Sequence, residues 1–154
     1  MDASIDAVRV AGTPDGPVGV VTLAVEESPD VLPISVGLEE AANIARGMDA
    51  ADVGRPLTHD LLLDVVEELG GRVSEVAVTD VVEETYVADV HLDTPRDETV
   101  VDARPSDSLA LAARTGADIR VEEGVFEAGR RPSEDFDALD DIREVGQGKE
   151  EETP

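Results

Sequence analysis

The stretch E-T-V-V-D-A-R-P-S-D-S-L-A-L-A-A-R-T-G (residues 98–116) changes from a strand pattern to a helix pattern within a few residues. The β-branched run at 98–104 is typical of a strand, and Pro105 ends it. Ser106 is then predicted to cap a helix that continues to about Arg114 and ends at the following Thr-Gly pair. A strand that leads directly into a helix indicates that sheet and helices share one core.

The same two patterns occur throughout the chain upstream of this stretch. Gly37 opens a predicted first helix with one apolar face, and Thr58 is a good N-cap for a second helix. The apolar spacing of that second helix predicts a buried stripe made of Leu61, Leu62, Val65, Val66 and Leu69. The predicted strands are residues 4–10, 17–26, 31–36, 72–82, 85–93, 98–104 and 118–122.

This order of elements predicts an α+β fold with a mixed or antiparallel sheet and three short helices. It also suggests an internal βββα duplication. A shift of 67 residues places Gly37 on Arg104 and Glu40 on Asp107, although few residues are identical. A true duplication would put an acid near the N-terminus of each equivalent helix.

The last part of the chain differs from the rest in composition. Residues 131–154 contain nine acids and three bases, with few apolar residues. We therefore predict a domain at residues 1–130 and an acidic, largely disordered tail at 131–154, in which Gln147–Pro154 should have no fixed structure.

Charge is the extreme feature of the composition, because 37 acids face 12 bases and the net charge is −25. A folded chain with such self-repulsion is stabilised by molar salt, which screens charges within about 3 Å. We therefore expect a halophilic protein of haloarchaeal type. The charge also argues against a nucleic-acid partner, since binding to nucleic acid normally needs a basic surface, and only Arg130-Arg131 forms a basic cluster.

Location and redox chemistry are constrained by what the sequence lacks. It has no cysteine, which excludes disulfides and thiolate metal sites. It shows no signal peptide at its start and no apolar run near the roughly 20 residues that span a bilayer. We expect a cytoplasmic protein with no membrane association, and exposed strand edges make a homo-oligomer plausible.

The segment R-P-L-T-H-D (55–60) has two interpretations. Thr58 and Asp60 suit any helix N-terminus, as a cap and as an acid favoured by the helix dipole. Alternatively, His59 is a general base or metal ligand beside Asp60, and Arg55 binds a phosphate.

The segment D-A-R-P-S-D (102–107) has a similar layout. Asp102 and Arg104 point to one face of a strand, and Ser106 and Asp107 follow at a helix N-terminus. Such junctions are natural anion sites because free helix N–H groups point out of them. The alternative is an Asp–Arg pair that only braces the junction.

Other residues give weaker signals. Asp80 interrupts an apolar strand, and Glu40 lies one turn into the first helix, so both are candidate metal ligands, whereas His91 is expected at the surface. Carboxylates with a histidine and no cysteine suit Mg²⁺ or Mn²⁺, the ions of two-metal phosphodiester hydrolysis. The fingerprints of nucleotide-binding loops, zincins and serine hydrolases are absent.

Five segments in a fixed order carry a family resemblance. They are V-L-P-I-S-V-G-L-E-E-A (31–41), R-P-L-T-H-D-L-L (55–62), V-T-D-V (78–81), Y-V-A (86–88) and D-A-R-P-S-D-S-L-A-L-A-A-R-T-G-A (102–117). Over residues 5–125 the chain resembles the bifunctional nuclease family. One departure is Glu39, which stands where the family often has an aromatic residue.

The resemblance implies a nuclease that acts on DNA or RNA. The candidates lie at the matching positions, and their roles are assigned from the chemistry of the side chains rather than from the family. The catalytic candidates are His59, Asp60, Asp102 and Asp107; the substrate-binding candidates are Arg55, Arg104 and Ser106; the metal candidates are Glu40 and Asp80. The competing hypothesis is a non-catalytic binding or regulatory domain in which the two segments are structural braces or a small-anion pocket.

Overall fold

The computed structural model describes residues 1–49 and 57–144. The strands are β1 (Asp2–Thr13), β2 (Gly16–Val25), β3 (Asp30–Val36), β4 (Arg72–Val82), β5 (Thr85–Asp93), β6 (Glu98–Ala103), β7 (Asp118–Val121), β8 (Arg131–Pro132) and β9 (Asp140–Asp141). The helices are α1 (Leu38–Met48), α2 (Thr58–Glu68), α3 (Pro105–Thr115), α4 (Glu123–Gly129) and a 3-10 turn at Ser133–Phe136. The predicted α+β class is confirmed. None of the helices in these ranges is long and apolar enough to cross a membrane.

The sheet is built from two three-stranded meanders on either side of β7. Its strand order is β6-β5-β4-β7-β1-β2-β3-β8, and β9 pairs with β1. All neighbours are antiparallel except β4 and β7, which run parallel. Each meander is followed by a helix, α1 after β3 and α3 after β6. The order and the sheet positions are those that a βββα duplication would produce.

The helices α1 and α3 pack on each other and on the sheet, over a core of aliphatic side chains. Gly19 of β2 lets α1 approach closely, since a Cβ atom there would collide with Ala41 Cβ. Phe126 of α4 is fully buried and is the largest side chain of the core. Each such buried apolar side chain stabilises the fold by roughly 1.5–3 kcal/mol. The core thereby holds the N-termini of α1 and α3 in a fixed relation.

The predicted buried stripe of α2 is wrong. Leu61, Leu62, Val65 and Leu69 are exposed, and α2 has no fully buried residue. Val66 is half-buried, and Leu63 packs against the core instead. The helix is apolar around more than half of its circumference, so spacing alone could not select the face that the core covers.

Two predicted helix caps are also wrong. Thr58 is the first residue of α2, and the cap position is Leu57. Ser106 is the second residue of α3, because Pro105 takes the first position and Arg104 the cap position. Neither Leu57 nor Arg104 caps its helix with a side chain. At α2 the carboxylate of Asp60 accepts the N–H group of the cap residue instead.

The end of the described chain belongs to the sheet. The sequence predicted an acidic tail from residue 131, but β8 pairs with β3 and β9 pairs with β1. These strands have two residues each, so they are too short to show the alternating pattern by which a strand is recognised in a sequence. Helix α4 was not predicted either, because its only large apolar residues are the adjacent Val125 and Phe126. The segment predicted to lack structure, residues 147–154, lies outside the described residues.

Candidate functional site

Three acids occupy the same position in three helices. Glu40, Asp60 and Asp107 are the third residues of α1, α2 and α3, where a carboxylate can accept the N–H group at the cap position. Glu40 Oε2 accepts from Gly37 N at 3.2 Å, and Asp60 Oδ2 accepts from Leu57 N at 3.0 Å. Asp107 differs from both, because its two oxygens are bonded to the side chains of His59 and Arg104.

The hydrogen bond between His59 and Asp107 joins the two segments that the sequence singled out. His59 Nε2 lies 2.9 Å from Asp107 Oδ1. His59 is the second residue of α2 and only 15% of its side chain is exposed. The contact therefore places the N-terminus of α2 against that of α3. A carboxylate in this position sets the tautomer and the orientation of the imidazole ring.

Arg104 links α3 to α1. Its Nε lies 3.3 Å from Asp107 Oδ2 and its Nη1 lies 3.2 Å from Glu40 Oε1. The two acids that the proposed duplication makes equivalent thus hold the same guanidinium. The hydrogen bond and charge of Asp107, followed by the charge of Glu40, raise the pKa of Arg104. Arg104 is mostly exposed, so an anion from solution can reach it.

The pKa of Asp107 is lowered from its ordinary value of 3.8. Partial burial raises the pKa, but the hydrogen bonds and charges of His59 and Arg104 outweigh that effect. Asp107 is therefore ionised at neutral pH and acts as a hydrogen-bond acceptor for both partners.

Asp60 faces a different partner, Arg114, near the end of α3. Arg114 Nε donates to Asp60 Oδ1 at 2.9 Å, and its Nη1 donates to the carbonyl oxygens of Asn43 at 2.9 Å and Ala110 at 3.1 Å. Only 8% of the Arg114 side chain is exposed. Burial raises the pKa of Asp60, but the Leu57 amide and Arg114 lower it further, so the net shift is downward. This contact is a brace that ties α1, α2 and α3 together.

A large open groove lies beside this cluster. Its volume is about 1340 Å³, above the roughly 300–1000 Å³ of typical small-molecule pockets. It is bounded by β3, the β4–β5 hairpin, the junction of β6 and α3, and the end of α4. The chemically active groups that line it are Glu40, Tyr86, Asp102, Arg104, Ser106, Asp107, Arg130 and Arg131.

Five of the predicted site residues therefore line one groove. His59 does not line it and adjoins it through Asp107, whereas Asp60 is engaged with Arg114. Asp80 is an exposed residue of β4 outside the groove, where its Oδ1 accepts from Val81 N at 2.8 Å. Arg55 lies outside the described residues. The five groove residues are Glu40, Asp102, Arg104, Ser106 and Asp107.

The predicted metal ligands do not form a site in this arrangement. Across residues 1–49 and 57–144, no group of three or more His, Cys, Asp or Glu side chains is placed to hold a metal ion. Glu40 and Asp107 share the Arg104 guanidinium, which supplies the positive charge between them. Asp80 and Glu40 are not brought together at the groove.

Sequence reasoning missed three contributors. Arg114 looked like an ordinary basic residue in the last turn of a helix, and its burial depends on Gly47, where a Cβ atom would lie 3.0 Å from Arg114. Tyr86 lines the groove and packs over Gly129, and burial raises its pKa. The Arg130-Arg131 pair was noticed only as a basic cluster. The fact that Tyr86 is the single tyrosine of the chain was the one available signal.

A second histidine–aspartate pair lies on the sheet. His91 Nε2 is 2.9 Å from Asp89 Oδ1, and both residues belong to β5. His91 also lies 3.9 Å from Glu75 Oε2 of β4. Neither His91 nor Asp89 lines the groove. This pair provides an internal reference for the first.

Comparisons with known proteins find relatives that cover this region of the chain. The family model of the bifunctional nuclease domain matches residues 21–134, which include α1, α2, α3 and the groove acids. Two Mycobacterium tuberculosis proteins, "Uncharacterized protein MT1877" (strain CDC 1551 / Oshkosh) and "Uncharacterized protein Rv1829" (strain ATCC 25618 / H37Rv), are each 45% identical over 95 residues. "Bifunctional nuclease 2" of Arabidopsis thaliana is 29% identical over 109 residues.

The aligned regions cover 62% of this chain and 56% of each mycobacterial protein, and 68% of this chain and 33% of the Arabidopsis protein. The chain thus corresponds to little more than half of the first two relatives and to a third of the last. The family model covers well over half of the chain, and the chain belongs to the bifunctional nuclease domain family.

Proposed function

We propose that this chain is a nuclease that hydrolyses phosphodiester bonds of DNA or RNA in the groove beside Arg104. The observation that carries the proposal is the 2.9 Å hydrogen bond between His59 and Asp107, next to a guanidinium that solvent can reach. A histidine held by a carboxylate beside an arginine is suited to move protons at a bound phosphate. The family membership and the name of the Arabidopsis relative support the same activity.

The proposed chemistry divides between two groups. Arg104 binds a non-bridging oxygen of the phosphodiester. In the structure its guanidinium is paired with Glu40 and Asp107. The His59–Asp107 pair accepts a proton from the attacking water through Asp107, the member of the pair that lines the groove. The oxygen of that water bonds to phosphorus, the bond from phosphorus to the leaving oxygen breaks, and the leaving oxygen takes a proton from a second water. Asp102 and Ser106 lie where they can contact the substrate. Arg55 as a second phosphate ligand stays a prediction.

Dependence on Mg²⁺ or Mn²⁺ also stays a prediction. The described carboxylates are arranged around Arg104 rather than as a metal site, so no step above passes through a metal ion. Dialysed protein that loses cleavage with EDTA and regains it with either ion would show the dependence. Unchanged cleavage in EDTA would show that Arg104 and the histidine pair suffice.

The test is a cleavage assay in molar KCl with single-stranded and double-stranded DNA and RNA. His59→Ala and Asp107→Ala should each lower the rate by at least about 100-fold, the usual contribution of a general acid–base group. His91→Ala is the matched control, because it removes the other histidine of an equally short pair, and it should keep the wild-type rate. Full cleavage by His59→Ala or Asp107→Ala would refute the assignment.

A second candidate is a non-catalytic binding or regulatory domain. It is favoured by the pairing of all three groove arginines with carboxylates: Arg104 with Glu40 and Asp107, Arg130 with Asp30 and Glu127, and Arg131 with Asp135. The segments would then be braces or a small-anion pocket. Binding of inorganic phosphate or an oligonucleotide that requires Arg104, without cleavage under any condition of the assay, would select this candidate.

The composition supports two further parts of the proposal. With 37 acids and 12 bases, the chain should work in a salt-rich cytoplasm of haloarchaeal type. Full stability in low-salt buffer, measured by denaturant unfolding across a KCl series, would contradict this. A homo-oligomer also remains part of the proposal; the described surface offers two apolar regions for such a contact, the edge strand β6 and helix α2.

A further inference from the structure

Helix α2 turns an apolar face to solvent. The exposed fractions are 58% for Leu61, 46% for Leu62, 47% for Val65 and 76% for Leu69. At 100° per residue these four side chains fall within about one quarter to one third of the helix circumference. They form one continuous strip, here called the α2 apolar face. It exposes on the order of 400 Å², within the range of the largest patches on soluble monomers, which often mark interaction sites.

The same helix is weakly packed within its own chain. It has no fully buried residue, whereas α3 has six. Among the described residues its main contacts with the rest of the fold are Leu63 in the core, the half-buried Val66, the His59–Asp107 hydrogen bond and the Asp60–Arg114 ion pair. A helix of 11 residues has little stability without apolar packing. The α2 apolar face is therefore a surface whose burial would add stability that the single chain lacks.

We infer that the α2 apolar face docks on the same face of a second copy of this chain. A two-fold axis across the helices packs the two strips on each other in an isologous contact, in which Leu61 of one copy faces Leu69 of the other and Val65 lies near the axis. A stable interface buries about 800 Å² on each partner. The strip supplies about half of that as an apolar centre, and the polar residues around it supply the rim.

The charges around the α2 apolar face distinguish a second copy of the chain from the main alternative partner, a basic helix of another protein. Asp64 and Glu68 lie along one side of the strip, and the last turn of α2 has no basic residue. A two-fold contact brings the acidic sides of both copies together, which molar salt screens and low salt does not. A basic helix from another protein would have the opposite salt dependence. Since the net charge of −25 indicates a salt-rich setting, where attraction between charges is weak, apolar self-association is the occupant that fits.

Docking would also affect the site. His59 and Asp60 begin the helix that the second copy covers. Burial of the opposite side of α2 would hold His59 in place against Asp107. The interface contributes no group to the groove, so its existence can be tested without any measurement of cleavage.

The experiment is sedimentation equilibrium of the full chain in molar KCl. The wild type should form dimers, and Val65→Glu should raise the dimer dissociation constant by at least about 100-fold, because the symmetric contact meets the substitution twice. Val100→Glu is the matched control, since it makes the same change at a similarly exposed valine on the edge strand β6. It should leave the dissociation constant unchanged. Circular dichroism should show that both variants fold, as both positions are exposed.

Three results would overturn the inference. The wild type could stay monomeric in molar KCl, or Val100→Glu could dissociate a dimer that Val65→Glu leaves intact, which would assign the contact to the sheet edge. The third is a monomeric chain that binds a lysine-rich amphipathic peptide most tightly at low salt and loses it with Val65→Glu. That result would assign the face to a basic partner.

Discussion

The two histidine–aspartate pairs of this chain have the same length, 2.9 Å, and very different surroundings. His91 and Asp89 are two residues apart on β5, so the pleat of a single strand places them side by side. His59 and Asp107 are 48 residues apart and come from different helices. Their contact exists only because α1, α2 and α3 pack together at their N-termini.

The surroundings of the two pairs indicate which one is suited to catalysis. The side chain of His59 is 15% exposed and that of His91 is 35% exposed. Asp107 shares an accessible arginine with Glu40 at the edge of a large groove, whereas the neighbour of His91 across the sheet is another acid, Glu75. A short pair is therefore no indication of function by itself. The hydrogen-bond geometry, the neighbouring cation and the adjacent space distinguish the two, because His59 is hydrogen-bonded to Asp107 whereas Asp89 Oδ1 has no hydrogen-bond partner among the described residues.

The largest expected effect is on cleavage. Asp107→Asn keeps the size of the side chain but removes the charge that orients His59 and pairs with Arg104. The rate in molar KCl should fall about 100- to 10 000-fold. Asp89→Asn makes the same change in the reference pair and should leave the rate within about twofold of the wild type. Equal losses in both variants would remove the distinction between the pairs.

Next in size is the stability that Arg114 provides. Arg114→Met removes the guanidinium that braces α2 and leaves Asp60 without its cation, so the free energy of unfolding should fall by about 2–3 kcal/mol. Arg120→Met is the control on the sheet, where the ion pair with Glu75 is long and exposed, and its cost should stay below about 0.5 kcal/mol. Denaturant unfolding in molar KCl measures both. A smaller loss for Arg114→Met than for Arg120→Met would mean that α2 is held by other contacts.

A smaller effect concerns the affinity of the groove for phosphate. Arg104→Gln should weaken the binding of a short oligonucleotide about tenfold, as expected for loss of one charge-assisted contact. Arg120→Gln lowers the positive charge by the same amount outside the groove and should have no measurable effect. Fluorescence anisotropy at constant salt gives both dissociation constants. Equal weakening would indicate a general charge effect rather than a site.

The smallest effect is on acid stability. The pKa of Asp60 is lowered in the folded chain, so its contribution to stability is present above its ordinary value of 3.8 and is lost as the pH falls through the lowered pKa. Since solvent screens this partly exposed carboxylate, Asp60→Asn should cost less than about 1 kcal/mol at neutral pH and almost nothing once the pH is below the lowered pKa. Unfolding curves at several pH values, with Asp15→Asn in an exposed turn as control, measure the difference. A cost that does not shrink at low pH would contradict the shift.

Much of the fold could be predicted because a strand can be recognised from the few residues that form it. All seven predicted strands are confirmed within three residues at each end, since short runs rich in β-branched residues between turn signals have few other interpretations. The prediction failed for β8, β9 and α4, which are too short to show a period. The prediction of which face of α2 is buried also failed, because the helix is apolar on more than one side and its sequence does not show which side meets the core.

The candidate site was only partly predictable for a related reason. The sequence placed Arg104 and Asp107 at a strand-to-helix junction, which depends on neighbouring residues alone. The contact of His59 with Asp107, and that of Glu40 with Arg104, depend on how helices pack. Arg114 was missed because nothing near it in the chain shows that it is buried.

The order of β1 to β7 and α1 to α3, the family resemblance and an acid near the N-terminus of α1, α2 and α3 all follow from the sequence alone. These properties follow from interactions within a few residues of each other. Tertiary packing was needed to bring His59 to Asp107, Glu40 to Arg104 and Arg114 to Asp60. A carboxylate has the same chemistry in each place. Its partner is chosen by the packing of chain segments tens of residues apart.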